Sequence, residues 1–275
     1  MNSQKRIAVL AQERSDMDRR CILPVSPVPV LLGILSGCAR PDVMEPEQYT
    51  PGYIAMLPGI EGSSWQLAGT VKGLREAGIS RKVEVIDWHD GPFCSMRNLT
   101  DIQANRVRAK SIARRIGEYH RKHPDSPITL IGYSGGGGLA AMIASELDQD
   151  VRLDRIILIA AALSPDYDLS PVMACARRGV VSFFSAGDWL ILGFGTRLFG
   201  TIDRVNTESA GQIGFIDGQG RLVKDDRLTQ IPWMSTWHNL GHDGGHVGWL
   251  AQRWARDVLA PQIMPENEKL ASTEQ

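Results

Sequence analysis

Short apolar runs rich in β-branched residues alternate along the chain with segments of helical periodicity. In the longest helical segment, the apolar residues Ala109, Ile112 and Ile116 share one face. Regular alternation of strands and helices is typical of a mostly parallel sheet with crossover helices, so the pattern predicts an α/β fold. The predicted strands cover residues 53–57, 83–88, 128–133, 155–160, 180–185 and 230–236, and the predicted helices cover residues 64–77, 101–122, 136–147 and 249–259.

Charge changes this picture little. The outer face of the predicted helix 101–122 is basic, which we interpret as the solvated side of an amphipathic helix. The whole chain of 275 residues has a formal net charge of -1. Nothing in this balance favours nucleic acid or an anionic membrane, and we expect a small neutral molecule as the partner. The basic residues of the helix are Arg106, Arg108, Lys110, Arg114 and Arg115.

The N-terminal region resembles a bacterial lipoprotein signal. Arg19 and Arg20 precede an apolar segment, residues 21–35, which runs into the sequence Leu-Ser-Gly-Cys ending at Cys38. The resemblance implies that residues 1–37 are removed and that Cys38 carries a lipid. The mature protein would then lie in the cell envelope, held to the membrane only by that lipid.

Two observations leave an alternative open. Prolines interrupt the apolar segment, and residues 1–16 form a long prefix with acidic side chains, which translation from Met17 would remove. The alternative is an irregular apolar arm that packs on a cytoplasmic domain. We expect the folded domain to span residues 38–264 and a disordered polar tail to span residues 265–275.

The four cysteines predict no metal site. They form no CxxC pair and have no spacing with histidine that would build a tetrahedral site. In an exported protein, Cys94 and Cys175 would meet an oxidising environment, but the sequence leaves open whether they pair.

The strongest chemical motif lies where strand 128–133 meets helix 136–147. It is a G-x-S-x-G sequence formed by Gly132, Ser134 and Gly136. In a strand-to-helix elbow the serine is strained and exposed at the carboxyl edge of the sheet, while the glycines let strand and helix approach. The same turn places the Gly135 N–H at a helix N-terminus, where it can stabilise an oxyanion. Ser134 is therefore predicted to be a nucleophile.

With this motif, residues 53–260 resemble the α/β-hydrolase family. The segment after the first strand, residues 56–65, is similar to the family's oxyanion loop, although Pro58 stands where members commonly have histidine. The resemblance implies that the backbone N–H groups of Ile60 and Gly135 form the oxyanion hole. Glu61 is the alternative donor if the loop is shifted.

A serine nucleophile needs a histidine base and a carboxylate that orients it. The resemblance implies the chain order serine, acid, histidine. Asp188 ends the buried-type strand 180–185 in a Gly-Asp turn and is the predicted acid. Asp166 and Asp168 are the rivals, in a turn that opens a short helix.

Three histidines follow the acid. His246 directly precedes the last amphipathic helix and is the predicted base, with His242 as the next candidate and His238 third. A metal site built from these histidines has no supporting cysteine or carboxylate pair.

This constellation implies acyl transfer to water without a dissociable cofactor. Only about 20 residues separate the fourth and fifth strands, too few for a large cap domain, which favours an open pocket and modest acyl chains. The predicted function is that of a carboxylesterase or lipase-like serine hydrolase acting on a small-molecule ester. A peptidase, amidase or thioesterase is the alternative within the same chemistry. A non-catalytic envelope binding protein is the alternative of another class, favoured if neither His242 nor His246 reaches Ser134.

Overall fold

One six-stranded parallel sheet organises the protein. The computed structural model describes residues 50–60, 64–89, 95–188, 201–203, 205 and 207–264. The strand order is β2-β1-β3-β4-β5-β6, and each neighbouring pair runs parallel. The strands are β1 (Thr50–Leu57), β2 (Arg81–Val85), β3 (Ile128–Tyr133), β4 (Arg155–Ile159), β5 (Val180–Phe184) and β6 (Leu228–Pro232).

The central strands are covered on both faces. Every residue of β3 and β5 is buried, which explains why these strands are continuous apolar runs rather than alternating ones. One helical layer contains α1 (Ala68–Glu76), packed against the C-terminal helical segment. The other contains α3 (Ile102–Lys122), α4 (Gly135–Ser145) and α5 (Ser170–Cys175), with α2 (Ser95–Thr100) beside α3. A short helix, α6 (Ala210–Ile213), packs near β5.

The predicted helix 249–259 is wrong in its bounds. The chain forms a 3-10 helix over His246–Leu250, breaks at Ala251 and continues as the C-terminal helical segment, residues 252–263. Residues Ala255–Leu259 of this segment form a π-helical turn. Pro261 explains this π-helical turn. Proline lacks the N–H that would continue α-helical hydrogen bonding, and the backbone before it adjusts to a wider turn.

The other predicted strands and helices occur; β3 has the predicted bounds, and the rest have shifted ends. The second strand was predicted as residues 83–88 but ends at Val85, after which Trp88 turns inward and its indole N–H donates to the Pro58 carbonyl at 2.8 Å. The last strand was predicted as residues 230–236 but is Leu228–Pro232, followed by a 3-10 helix over Ser235–Leu240.

The connection between β4 and β5 contains only α5 and turns, so the described part of that connection carries no cap domain. Within the described residues, no helix combines the length and the apolar character needed to cross a membrane. Residues 1–37, Cys38 and the tail 265–275 lie outside the described residues.

Candidate active site

A strained serine stands at the end of the central strand. Ser134 follows β3 and precedes α4, and its backbone has φ 56° and ψ -122°. The conformation is fixed from both sides, because the Ser134 N–H donates to the Ile159 carbonyl at 2.8 Å and its carbonyl accepts from the Ala162 N–H at 3.0 Å. The elbow therefore belongs to the sheet and not to a mobile loop.

The flanking glycines allow this close approach. A Cβ on Gly136 would lie 2.3 Å from the Pro58 carbonyl oxygen, and one on Gly132 would lie 2.3 Å from the Gly136 carbonyl oxygen. Both distances are far below contact distance for non-bonded atoms. The two glycines of the motif let β1, β3 and α4 converge beneath the serine.

Three side chains from distant parts of the chain meet at this edge of the sheet. His246 Nε2 lies 2.9 Å from Ser134 Oγ, and His246 Nδ1 lies 2.7 Å from Asp188 Oδ2. An ionised carboxylate only accepts hydrogen bonds, so the proton belongs on Nδ1 and leaves Nε2 to accept from the serine hydroxyl. Ser134 and Asp188 follow β3 and β5, whose carboxyl ends lie at the same edge of a parallel sheet.

The site is largely removed from water. Side-chain exposure is 1% for Asp188 and 9% for His246. Burial raises the pKa of the Asp188 carboxyl, and the hydrogen bond from His246 opposes this by lowering it. A desolvated carboxylate beside an imidazole favours the positive charge that this ring would gain on taking a proton.

Two further side chains hold the histidine loop, and sequence reasoning missed both. The Tyr133 hydroxyl donates to the His246 carbonyl at 3.0 Å, and its ring packs on the imidazole with centroids 4.9 Å apart. The Ser185 hydroxyl donates to the Gly244 carbonyl at 2.6 Å and accepts from the Gly187 N–H at 3.2 Å. Both lie beside predicted site residues, but their partners are main-chain groups, which leave no signature in a sequence.

The two predicted oxyanion donors lie side by side. A Cβ on Gly135 would lie 2.3 Å from Ile60 Cγ2 and 3.5 Å from Ile60 N, so the Ile60 backbone covers the start of α4. Neither the Ile60 nor the Gly135 N–H has a hydrogen-bond acceptor among the described residues. The alternative donor, Glu61, lies outside the described residues.

The rival residues lie in other surroundings. His242 is fully buried among tryptophans and packs edge-to-face against Trp249, with ring centroids 4.1 Å apart. Its Nδ1 accepts a hydrogen bond from the Gly244 N–H at 3.2 Å. His238 is exposed. Both rival acids are exposed. Asp168 accepts from the Ser170 N–H at 2.9 Å in the turn that leads into α5.

Cys175 is buried, and burial raises the pKa of its thiol to about 11. Cys94, whose pairing with Cys175 the sequence leaves open, lies outside the described residues. Cys175 is a free thiol in the structure and donates to the Val172 carbonyl at 3.2 Å.

Comparison with known proteins gives structural similarities only. No protein-family model matches the chain, and no curated protein matches it. Among solved structures, TT1662 from Thermus thermophilus is 16% identical, with a TM-score of 0.47 over 80% of this chain and 92% of that protein. The mature form of a Bacillus licheniformis lipase is 14% identical, with a TM-score of 0.43 over 82% of this chain and 96% of the lipase. A thioesterase of prodiginine biosynthesis from Streptomyces coelicolor is 14% identical, with a TM-score of 0.43 over 96% and 95% of the two chains.

The chain's own architecture defines the fold. A parallel sheet in the order given above, helices on both faces and a strand–serine–helix elbow at its centre make this an α/β-hydrolase fold. The predicted fold class is confirmed.

Proposed function

We propose that this protein is a serine hydrolase that cleaves carboxylic esters. One observation carries the proposal: His246 bridges Ser134 Oγ at 2.9 Å and Asp188 Oδ2 at 2.7 Å. These are the contacts that nucleophile, base and orienting acid require. The reach of His246 to Ser134 favours catalysis over a non-catalytic binding protein.

In the proposed reaction, Ser134 Oγ attacks the ester carbonyl while His246 Nε2 takes the hydroxyl proton. Asp188 holds the imidazole in the required tautomer and stabilises its positive charge. The N–H groups of Ile60 and Gly135 bind the negative oxygen of the tetrahedral intermediate. His246 then gives the proton to the departing alcohol, which leaves an acyl group on Ser134.

Water completes the cycle. His246 removes a proton from a water molecule that attacks the acyl carbonyl, and the second tetrahedral intermediate releases the carboxylic acid and regenerates Ser134. Side chains and backbone N–H groups provide the nucleophile, the proton transfers and the oxyanion binding, so the proposed reaction uses no dissociable cofactor. The small connection between β4 and β5 favours an open site and esters of modest acyl length.

The first test is active-site labelling. A fluorophosphonate probe should label the wild type and fail to label Ser134→Ala, because only an activated serine attacks phosphorus. The control is Ser111→Ala, which removes an exposed serine on α3 and should label like wild type. We expect Ser134→Ala to lower kcat/KM for p-nitrophenyl esters by at least about 10³-fold.

The substrate panel decides among acyl-transfer reactions. Short and long p-nitrophenyl esters, a matched thioester and a matched anilide should be hydrolysed with the short ester preferred. Faster turnover of the thioester or anilide would move the assignment to a thioesterase or amidase. Absence of labelling in a folded wild type would favour the binding-protein alternative.

We further propose that the protein lies in the cell envelope, held by a lipid on Cys38, because residues 19–38 resemble a lipoprotein signal. Full-length protein expressed in a bacterium should fractionate with membranes and carry the mass of a diacylglyceryl group on Cys38. Cys38→Ser should abolish both. A wild type recovered entirely from the cytosol with Cys38 unmodified would contradict this location.

A further inference from the structure

Three side chains from three separate segments bind the backbone that follows β1. The Trp88 indole N–H donates to the Pro58 carbonyl at 2.8 Å, and the Gly59 N–H donates to Gln66 Oε1 at 3.0 Å. The Asn98 side-chain amide donates to the Ile60 carbonyl at 3.0 Å. Trp88 and Asn98 are buried and Gln66 is half-buried, so these bonds are shielded from competing water.

The pattern of these bonds singles out one peptide group. In the peptide that joins Pro58 to Gly59, the oxygen is bound by Trp88 and the nitrogen by Gln66. Two residues further along, the Ile60 carbonyl is bound by Asn98. Between them lies the peptide that joins Gly59 to Ile60, and its N–H has no acceptor among the described residues. The Gly59 N–H is occupied by Gln66, so among the described residues of this segment Ile60 supplies the available donor.

Position and direction of the Ile60 N–H are both constrained. A Cβ on Gly59 would lie 3.4 Å from Ser134 Cβ, which places this backbone directly against the serine. Flipping the Gly59–Ile60 peptide in place would drive φ of Ile60 toward positive values. Ile60 does not have a positive φ, and a β-branched residue strongly disfavours one. The N–H is thus held beside the start of α4.

We infer that Gln66, Trp88 and Asn98 are positioning residues that pre-organise the Ile60 N–H to bind the oxyanion. The inference rests on the proposed function. A donor fixed in advance stabilises charge that appears only in the transition state, whereas a loosely held donor must be ordered at that moment. Loss of one of these bonds should therefore lower kcat and leave KM nearly unchanged.

The test compares two variants that break different bonds. Gln66→Met keeps the side-chain length but removes the acceptor for the Gly59 N–H, and Trp88→Phe keeps an aromatic ring but removes the donor to Pro58. The control is Gln252→Met, which removes an exposed hydrogen bond from the Gln252 side chain to Glu76, the last residue of α1. Each protein is assayed for kcat and KM on a short p-nitrophenyl ester. Each is also assayed for its affinity for a trifluoromethyl ketone, which forms a charged tetrahedral adduct with an active-site serine.

We expect both site variants to lose about 10-fold in kcat, with KM within twofold of wild type, because one direct oxyanion donor is worth about 10²–10³-fold and these residues act through it. Affinity for the trifluoromethyl ketone should fall by the same factor as kcat. Gln252→Met should change neither. A merely structural role would lower the thermal midpoint without this matched loss.

Two results would overturn the inference. In the first, the single variants Gln66→Met and Trp88→Phe both fold and both keep the kcat and the ketone affinity of the wild type. In the second, KM rises in these variants while kcat stays constant. Failure of the proposed function looks different, because the wild type would then form no ketone adduct that Ser134→Ala abolishes. Trp88→Phe keeps the test decisive if Gln66→Met does not fold.

Discussion

Ser134 holds a backbone conformation that L-residues rarely adopt, and its neighbours enforce it. A non-glycine residue at φ 56° costs of order 1–3 kcal/mol. Main-chain bonds to Ile159 and Ala162 tie the residue to β4 and to the turn after it, and these contacts hold the strained conformation in place. The cost is local, while the result is a hydroxyl fixed at the edge where His246 can reach it.

His242 should make the protein acid-sensitive. Burial lowers the pKa of this imidazole to about 4, with Asp243 opposing and His238 adding to the shift. The unfolded chain, with a pKa near 6.5, takes up a proton first as pH falls, so stability is complete above about pH 7 and is lost toward pH 4. The expected loss from this group is about 3 kcal/mol.

Urea unfolding at pH 7.5, 5.5 and 4.5 measures this loss. The reference is His242→Phe, which keeps an aromatic ring among the tryptophans but cannot titrate. The wild type should lose more free energy of unfolding than the variant across this range. Parallel loss in both proteins would show that other groups cause the acid sensitivity.

The histidines also show what a sequence can and cannot provide. His246 was the predicted base because it lies directly before the last helical region. His242 remained an alternative base, because both histidines follow Asp188 and lie four residues apart. Packing separates them: Trp237 and Trp249 enclose His242, with centroids 5.9 and 4.1 Å from its ring. No local pattern encodes which of two nearby histidines the tryptophans will surround.

At the scale of elements, Arg178 joins three parts of the chain. Its guanidinium donates to both Asp154 oxygens, at 3.0 and 2.7 Å, just before β4. It also donates to the carbonyls of Ile263 and Met264, at 2.7 and 2.9 Å, at the end of the C-terminal helical segment. Arg178 itself precedes β5, so one side chain fixes two strand starts and a helix end.

Replacing this arginine should therefore destabilise the fold. Arg178→Gln leaves two helix-end carbonyls without their donor and leaves the mostly buried Asp154 carboxylate with Arg81, at 3.8 Å, as its remaining ion pair among the described residues. We expect a loss of about 3 kcal/mol in the free energy of unfolding. Arg221→Gln is the matched control, because Arg221 pairs with Asp217 on the surface and is worth about 1 kcal/mol or less. Equal losses in the two variants, measured by urea unfolding, would contradict this role.

Element type was easier to predict than element ends. β3 is found at the predicted residues because its apolar run is bounded by a turn at Ser126 and the elbow at Ser134. β2 ends early because Trp88 is drawn to the Pro58 carbonyl, a partner 30 residues away. The ends of elements thus depend on contacts that no local window contains.

At the scale of the whole molecule, the parallel sheet gathers distant residues at one edge. β1 neighbours β3, and one strand, β4, separates β3 from β5, so the carboxyl ends of these strands bring Ile60 and Asp188 to either side of Ser134. The strand-to-turn positions of these residues could be predicted from the sequence. The bonds from Gln66, Trp88 and Asn98 could not, because they depend on how segments outside the sheet fold back over its edge.

The spacing of these residues along the chain has a temporal consequence. Ser134 and His246 are 112 residues apart, and His246 lies beyond the last strand. Parallel strands pair only after long crossovers close, so such sheets assemble late. Under the proposed function, a nascent chain therefore carries Ser134 long before His246, the base that would activate it, has been synthesised. Under that proposal, ester hydrolysis would begin only after the chain has been made beyond the last strand and has folded.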